Sequence, residues 1–508
     1  MKINKQRNSS IIFLLLLTIL TVFQACKKSR SDIGALAFKQ TKNKVFKDIQ
    51  ADVFADKLKA AIQSGKSGLK NPKFMEAIYA NHNFEAIMLD KHLSDSGLVK
   101  AAAVIARAGE HGLDPASFKS KELSALIAKV YDKQAIKNTE EAYEALVALE
   151  LRAASSLTDY ANALQFGVVS PRRIFAQYYT STKRPDSISF ARPFETKDIK
   201  AFLDSIQPSA AGYKALQKAL LDKVVAPGLG QEETMRILQV NLERLRWQNG
   251  PGDEKYVWVN IPDFTLDVME KQKSVLHMKV CVGEGRNLSD QPSLVEYDEN
   301  DLEKDRPFNR ETPQLNSKIH SVQVNPVWNI PESIATNEIS KYAAKDRYYL
   351  ANNNIDVFLK GKKVEDTETI DWSDPGAGKM YTFKQRPGDD NSLGKIKFLF
   401  NNQSSVYLHD TPAKAAFKQN NRAVSHGCVR VEQPLELARA LFGEGAKFEK
   451  IKSEMESKDP KAQDIGLPAQ VPVYLAYMTC WRDQAGTLQF RKDIYGLDVV
   501  LYSYLNKA

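Results

Sequence analysis

Two patterns of hydrophobic spacing divide the chain near residue 248. From about 50 to 247, apolar residues recur every three or four positions, which is the spacing of amphipathic helices. In the clearest stretch, Asn138 or Thr139 can cap the start of a helix and Gly167 can terminate it. Its predicted apolar face comprises Leu146, Leu149, Ala153, Leu157, Tyr160 and Leu164.

After the turn-rich segment QNGPGDEK (248–255), the pattern changes to that of β-strands. Six short runs are rich in Val, Ile, Tyr and Phe: YVWVNIP, FTLDVME, SVLHMKVCVG, KIHSVQVNPVWNIP, KIKFLF and SVYLHD. An insertion of roughly 50 residues before KIKFLF has its own helix signal, and such long segments are commonly lids or binding loops. The tail from residue 435 predicts a helix (PLELARALFG), a Lys/Glu-rich helix or linker, and a strand (VPVYLAYMTCW).

The N-terminus has the pattern of an export signal. Basic residues precede a 13-residue apolar stretch (11–23) that would span about 20 Å as a helix, less than the roughly 30 Å of a bilayer core. Ala25 before Cys26 resembles the lipobox of bacterial lipoproteins, in which the cysteine is lipidated after cleavage. We therefore expect a membrane anchor through a lipid on Cys26. A plain secretory signal and an uncleaved anchor are the alternatives.

Composition is that of a folded, soluble protein with room for two or three domains. Of 508 residues, 43% are hydrophobic and 26% charged, and the formal net charge of +9 is spread along the chain. A modest positive field suits an anionic envelope polymer, although a solvated surface explains it equally simply. We expect no nucleic-acid partner, because the chain is exported and carries no basic tract.

The number and setting of the cysteines indicate which thiol could be reactive. With Cys26 assigned to lipid, three thiols remain, and in an exported protein at least one of the three must be unpaired. Cys281 and Cys480 lie in apolar, strand-like runs, whereas Cys428 lies among His, Ser, Gly and Arg in AVSHGCVRVEQP (423–434). Cys428 is therefore the candidate nucleophile, and a disulfide to one of the other two cysteines is the alternative.

A histidine nineteen positions upstream can serve as the base. His409 ends a strand-like run in YLHDTP, and a loop of this length can bring two strand ends together. An imidazole within hydrogen-bonding reach can take the thiol proton. We expect His409, His426 and Arg430 to lower the thiol pKa. The amides of Gly427 and Cys428 can form an oxyanion hole, in which one donor is worth roughly 3 kcal/mol.

Metal chemistry is the competing hypothesis. His409, Asp410, His426 and Cys428 could each bind zinc, and three of them with a water would make a catalytic site. The spacing matches no compact zinc motif, and the sequence has no HExxH. We therefore expect neither a metal nor another cofactor.

The sequence YLHDTP followed by RAVSHGCVRV resembles the active-site signature of YkuD-type L,D-transpeptidases, specifically the large YcbB-like branch. Blocks that agree are VNIPDFTLDV, PQLNSKIHSVQVNPVWNIPESIATNEI, QRPGDDNSLGKIKFLFNN and FRKDIYGLD, with weaker agreement at EHGLDP, LTDYANALQFG and AAGYKALQKAL. The resemblance is strong over about 250–505. It implies an α+β fold, in which a mainly β catalytic domain with a capping insertion packs with an N-terminal, mostly helical scaffold domain.

The resemblance also gives expected domain boundaries. These are a signal peptide (1–25), a basic, weakly structured tether (26–48), a helical scaffold domain (49–247), a catalytic domain (248–434) with a capping subdomain (about 333–392), and a C-terminal helix and strand segment (435–508) that completes the scaffold. The peptidoglycan-binding helical module common in such proteins is expected to be missing or reduced.

By position, the resemblance makes Cys428 the nucleophile and His409 the general base, oriented by the backbone carbonyl of Asp410. The amides of Gly427 and Cys428, with that of Tyr407, would hold the oxyanion. Ser425 and Arg430 have a purely structural role as their alternative. The expected substrate-binding residues are Tyr407, Ser425, His426 and Arg430.

The implied reaction is acyl transfer between peptidoglycan stem peptides. The thiol attacks the bond between the third residue, a diamino acid, and the fourth, D-Ala, and the amine of a neighbouring stem resolves the thioester into a 3→3 crosslink. Carbapenems are expected to acylate the same thiol. The alternatives are an L,D-carboxypeptidase, in which water resolves the thioester, and a non-catalytic envelope-binding lipoprotein.

Overall fold

The computed structural model describes residues 32–65, 68–285, 310–374 and 376–505. The expected signal peptide (1–25) and lipidated Cys26 lie outside these ranges. Within them, no helix combines the length and apolar character that a membrane span requires.

The chain forms two compact units. The first, here the helical unit, takes in the described residues up to Ala108, then Asp114–Asn162 and Pro185–Gln207. The second, the sheet unit, takes in Gly109–Leu113, Ala163–Arg184 and the described residues from Pro208 onward. Helices precede the sheet along the chain, in agreement with the expected α+β class.

The helical unit is built around the long helix Thr139–Phe166, which continues into the sheet unit at its end. Asn138 Oδ1 accepts a hydrogen bond from the Glu141 amide at 2.9 Å, so Asn138 caps the helix. Gly167 follows with φ +77°, and the predicted apolar face is buried throughout. The other helices of this unit are Ile33–Thr41, Ala51–Gln63, Pro72–Asn81, Ile87–His92, Gly97–Ala106, Ser120–Tyr131, Ser187–Glu195 and Ile199–Ser205.

The expectation of a weakly structured tether is wrong from residue 33 onward. A helix spans Ile33–Thr41, and a 3-10 helix spans Lys44–Asp48. Ile33, Ala37 and Phe46 are buried, because the apolar residues among the lysines repeat at helical spacing. The basic composition concealed this short amphipathic pattern.

The sheet unit contains fifteen strands among its described residues. They are β1 Lys255–Asn260, β2 Thr265–Glu270, β3 Lys273–Gly283, β4 Leu315–Val324, β5 Trp328–Ile330, β6 Ile355–Leu359, β7 Lys362–Lys363, β8 Thr382–Gln385, β9 Ile396–Phe400, β10 Leu408–His409, β11 Ala423–Ser425, β12 Val429–Val431, β13 Gln463–Ala476, β14 Cys480–Arg482 and β15 Leu488–Phe490.

Nine strands form the main sheet, in the order β11-β3-β12-β10-β9-β4-β13-β1-β2. The sheet closes on itself because β2 also pairs with β3. Alternate residues such as Val257, Val322 and Val429 are fully buried in one continuous apolar core. The helices of this unit are Pro171–Ile174, Ala211–Leu221, Gln231–Arg246, Glu332–Ile334, Ser340–Lys345, Tyr349–Asn352, Ala377–Met380, Pro434–Phe442, Ala446–Met455 and Leu497–Leu505, with a π-helix at Ala335–Ile339.

The C-terminal segment (435–508) does not complete the helical scaffold as expected. Its strand β13 lies inside the main sheet, parallel to β1 and antiparallel to β4. The compact sheet unit also includes residues before the boundary expected at 247, and Arg244 of the preceding helix forms a buried ion pair with Asp498 at 2.5 Å. β13 is 14 residues long and has a neighbouring strand on each side. The order of segments along the chain does not reveal this position in the sheet.

The insertion predicted over 333–392 forms a small separate sheet, β5-β8-β6-β7, with helices packed on it. We call Trp328–Gln385 the cap. It has its own apolar core, which includes Ile334, Val357 and Phe383.

Candidate active site

Two short parallel strands bring the candidate base and nucleophile together. His409 of β10 pairs with Arg430 of β12, and Leu408 pairs with Val429. Since side chains alternate along a strand, Leu408 and Val429 enter the core while His409 shares the opposite face with Cys428. His409 and Cys428 are thus diagonal neighbours, a separation that an imidazole side chain can bridge.

These residues form the floor of a groove of about 780 Å³. Tyr407, His409, Cys428 and Arg430 line the floor, and the cap contributes Trp328, Glu338 and Tyr349 among other side chains. Cys428 is partly exposed, and Cys281, Cys428 and Cys480 are all free thiols. The disulfide alternative is therefore excluded for these three cysteines.

His409 is held as a neutral base. Its Nδ1 lies 2.5 Å from the Asp410 carbonyl oxygen, which can only accept, so Nδ1 carries the proton and Nε2 keeps a lone pair. This is the contact that the resemblance implies. Burial lowers the His409 pKa to about 4, assisted by the positive charge of Arg430.

The carboxylate of Asp410 is held by groups other than His409. Its Oδ2 accepts a hydrogen bond from the Lys395 amide at 2.9 Å, and its Oδ1 pairs with Lys414 at 2.6 Å. Gly394 has φ +62°, and a Cβ placed there would lie 2.4 Å from Asp410 Cγ. Gly394 therefore makes room for the residue whose carbonyl contacts the candidate base, a feature that our sequence reasoning missed.

The environment of the thiol differs from the expectation. Burial raises the Cys428 pKa above its ordinary value. Hydrogen bonds from the amide and phenol of Tyr407, together with the charges of Arg430 and Lys397, oppose this rise only in part. The predicted lowering of the thiol pKa is therefore wrong, because the loss of hydration outweighs the nearby positive charges.

Lys397 was not predicted to belong to the site. It pairs with His409 across β9 and β10, and its ammonium lies 5.4 Å from the centre of the Tyr407 ring. Burial lowers the Lys397 pKa. It was missed because β9 gives no chemical signal and the register becomes known only with the fold.

Residues 425–428, here called the nucleophile turn, do not place both expected amides in an oxyanion hole. Gly427 has φ +108°, a conformation that favours glycine, and its amide is directed at Ser425 Oγ at 3.3 Å rather than into the groove. Ser425 Oγ donates to the Cys428 carbonyl at 2.6 Å, so Ser425 shapes the turn. Among the described residues, the Cys428 amide has no hydrogen-bond acceptor.

The cap contacts the nucleophile turn through one carboxylate. Glu338, in the π-helix, lies 2.7 Å from His426 Nε2 and 2.8 Å from an Arg310 nitrogen. Arg310 also pairs with Glu284 at 3.1 Å. Glu338 was part of a recognised sequence block, but nothing in the sequence marked its contact with His426, which is distant along the chain.

The candidate zinc ligands have other partners. Asp410 is held by Lys395 and Lys414, and His426 by Glu338, although His409 keeps its Nε2 lone pair. Across the described ranges, no three His, Cys, Asp or Glu residues are grouped as a metal site would require. The side-chain arrangement therefore favours the thiol hypothesis over zinc.

Comparison with known proteins agrees with the fold and the site. Residues 254–442 match the L,D-transpeptidase catalytic domain, YkuD, and residues 73–220 match the Scaffold domain. The chain therefore contains a YkuD L,D-transpeptidase catalytic domain and a Scaffold domain, which together form a YcbB-like architecture.

A relative from Haemophilus influenzae, strain Rd, provisionally named as an L,D-transpeptidase, is 29% identical over 325 residues. The match covers 64% of this chain and 60% of the length of the relative.

Proposed function

We propose that the protein is a peptidoglycan L,D-transpeptidase that forms 3→3 crosslinks through a Cys428 thioester. The observation that carries this proposal is the placement of a free, partly exposed Cys428 beside His409, whose tautomer is fixed by Asp410. The match to the L,D-transpeptidase catalytic domain supports it.

Acylation starts from a neutral thiol and a neutral imidazole, since burial lowers the His409 pKa and raises the Cys428 pKa. His409 Nε2 takes the thiol proton as the sulfur attacks the carbonyl between the third residue and D-Ala. The amide of Cys428 stabilises the oxyanion, while the Tyr407 amide, also expected to do so, donates to the sulfur in the resting site. The protonated imidazole then gives its proton to the leaving amine of D-Ala, and the thioester remains.

Deacylation reverses the proton path. The side-chain amine of a second stem attacks the thioester, His409 takes its proton, and the thiol returns with the proton as the new amide forms. Water in place of the amine would release a tripeptide, which is the carboxypeptidase reaction. Neither route needs a metal or an organic cofactor.

The groove is suited to the carboxylates of a stem peptide. Arg430 is partly exposed beside the thiol and has no carboxylate partner among the residues that the structure describes. Its guanidinium can bind the terminal carboxylate of D-Ala in a bidentate manner. The protein would act at the cell envelope, held at a membrane by a lipid on Cys26.

Incubation of the purified protein with disaccharide-tetrapeptide, followed by mass spectrometry of the products, tests the proposal. A crosslinked dimer that has lost one D-Ala indicates transfer, and tripeptide alone indicates hydrolysis. We expect Cys428→Ala to give neither product and Cys480→Ala, at a buried thiol outside the groove, to retain activity. Product from Cys428→Ala would refute the assignment. A carbapenem should label the wild-type protein but not this variant.

A further inference from the structure

A buried threonine outside the catalytic motif contacts the nucleophile turn. Thr312 is 2% exposed. It lies more than 90 residues before His409 and belongs to none of the motifs quoted above. Its Oγ1 accepts a hydrogen bond from the Gly283 amide at 2.8 Å and donates one to the Gly427 carbonyl at 2.8 Å. Because an amide only donates and a carbonyl only accepts, the direction of both bonds is fixed.

Tyr495 holds Thr312 in the same directional manner. Its hydroxyl donates to the Gly283 carbonyl at 2.8 Å and accepts from the Thr312 amide at 3.1 Å. Burial raises the pKa of Tyr495, so the hydroxyl keeps its proton at neutral pH. Two hydroxyl groups thus connect the end of β3, residue 312 and the nucleophile turn, and each hydroxyl both donates and accepts one hydrogen bond.

The close approach depends on the absence of a side chain at Gly283. A Cβ at this position would lie 1.9 Å from the Arg310 carbonyl oxygen and 2.6 Å from the Thr312 nitrogen. Glycine therefore allows the segment that carries Thr312 to lie directly against β3.

The bond to the Gly427 carbonyl sets the direction of the next amide. The peptide between Gly427 and Cys428 is planar and trans, so its C=O and N–H point in opposite directions. With the carbonyl held by Thr312 on the buried side, the Cys428 N–H points away from Thr312. Gly427 has φ +108°, and a glycine backbone rotates more freely than that of other residues. The hydrogen bond from Thr312 therefore restricts a peptide that would otherwise be free to turn.

We propose that Thr312 is a positioning residue that orients the Cys428 amide toward the carbonyl under attack, with Tyr495 holding Thr312 in place. The inference rests on the proposed acyl transfer and extends it to the residues that prepare the oxyanion site. Thr312 does not touch substrate and acts only through the Gly427–Cys428 peptide.

Two reactions of Cys428 separate this role from a purely structural one. Acylation by p-nitrophenyl acetate passes through an oxyanion, releases p-nitrophenolate and leaves an acetyl thioester. Alkylation by iodoacetamide displaces iodide from carbon and forms no oxyanion. For Thr312→Val we expect acylation to slow roughly tenfold or more, since losing one oxyanion donor outright costs 10²–10³. Alkylation and its pH profile should stay within about twofold, and Thr312→Ser should restore acylation.

Tyr495→Phe provides a second variant that leaves the Thr312 hydroxyl in place. We expect a smaller fall in the ratio of acylation to alkylation rates. The proposal would be overturned if Thr312→Val left the ratio of acylation to alkylation rates unchanged, or if it slowed both reactions equally. If the valine variant does not fold, the same criteria apply to Tyr495→Phe. Because neither probe is a stem peptide, failure of the proposed transpeptidase activity would be seen separately, as absence of crosslinked product from the wild-type protein.

Discussion

At the scale of single residues, His409 and Cys428 lie on the same sheet face, and the pKa of each is shifted toward the neutral form. Burial lowers the pKa of the imidazole to about 4 and raises that of the thiol. The resting pair is therefore a thiol and an imidazole rather than a thiolate and an imidazolium. In the proposed mechanism, proton transfer accompanies attack on the substrate, when the developing charge has an oxyanion donor to stabilise it.

This assignment predicts an unusual pH profile. A histidine whose pKa is lowered is deprotonated, and competent as a base, at every pH well above about 4. We therefore expect kcat/KM for acylation to change less than about twofold between pH 5.5 and 7.5 and to fall only below about pH 5. An ordinary histidine with a pKa of about 6.5 would produce a roughly tenfold fall over that range. Such a fall, measured by initial rates, would contradict the buried-base assignment.

The candidates Cys428, His409 and Asp410 could be proposed from the sequence because they lie in two short motifs, YLHDTP and AVSHGCVRV. Lys397 and Glu338 lie outside both motifs: the sheet register places Lys397 beside His409, and the cap brings Glu338 to the groove. The direction of the thiol pKa shift could not be predicted either, because it depends on how much water the folded groove removes.

Gly394→Ala tests the support of Asp410. The new methyl group would collide with the Asp410 side chain, so we expect kcat to fall roughly tenfold or more while the protein remains folded. Gly228→Ala is the matched control, because Gly228 also has positive φ but has open space around its Cβ position. Both variants should lose about 1 kcal/mol of stability from the positive φ, and Gly394→Ala should lose more because of the collision. Equal kinetic effects of the two substitutions would exclude a special role for Gly394.

At the scale of elements, the π-helix Ala335–Ile339 is the part of the cap that reaches the nucleophile turn. Widened helical turns of this kind are frequent at functional sites. Here the turn carries Glu338, whose carboxylate contacts both His426 and Arg310. The cap is therefore held beside the groove by two half-buried ionic contacts of Glu338, one with His426 and one with Arg310.

Glu338→Ala should remove both ionic contacts and weaken the attachment of the cap to the nucleophile turn. Losing a half-exposed ionic contact of about 1 kcal/mol predicts a roughly fivefold rise in KM for the donor peptide with little change in kcat. Alkylation of Cys428 by iodoacetamide should become faster as the groove opens. Glu332→Ala, at an exposed position in the same segment, should change neither rate. A fall in kcat without a change in KM would instead give Glu338 a part in the chemistry.

The predicted elements were most accurate where the pattern was long. The helix from residue 139 and strands β1 to β4 follow from their periodicity. The catalytic strands β10 and β12 have only two and three residues, so their parallel pairing has almost no sequence signal of its own. The helix Ile33–Thr41 was missed because lysines mask its short apolar repeat.

At the scale of the whole molecule, chain order and spatial order differ. Strand β13, near the C-terminus, lies between β1 and β4 in the main sheet. The ion pair between Arg244 and Asp498 ties the preceding helix into the same unit. A chain-order division into scaffold, catalytic domain and tail therefore differs from the two compact units of the structure.

Val473→Ala tests this arrangement. Val473 is fully buried in β13, and removing its two methyl groups should cost about 2 kcal/mol. Hydrogen exchange should accelerate at the amides of β1 and β4, whereas the helical unit should be unaffected. Gln470→Ala, at an exposed position of the same strand, should have no effect. Acceleration confined to the helical unit would contradict the placement of β13.

The most direct test of the central claim is the intact mass of the protein during turnover of a tetrapeptide stem. We predict a transient adduct equal to the donor minus D-Ala, located on Cys428 by peptide mapping and released by hydroxylamine, as a thioester should be. The adduct should be absent from Cys428→Ala. Crosslinked product formed without any adduct, or an adduct that persists in Cys428→Ala, would show that this thiol is not the nucleophile.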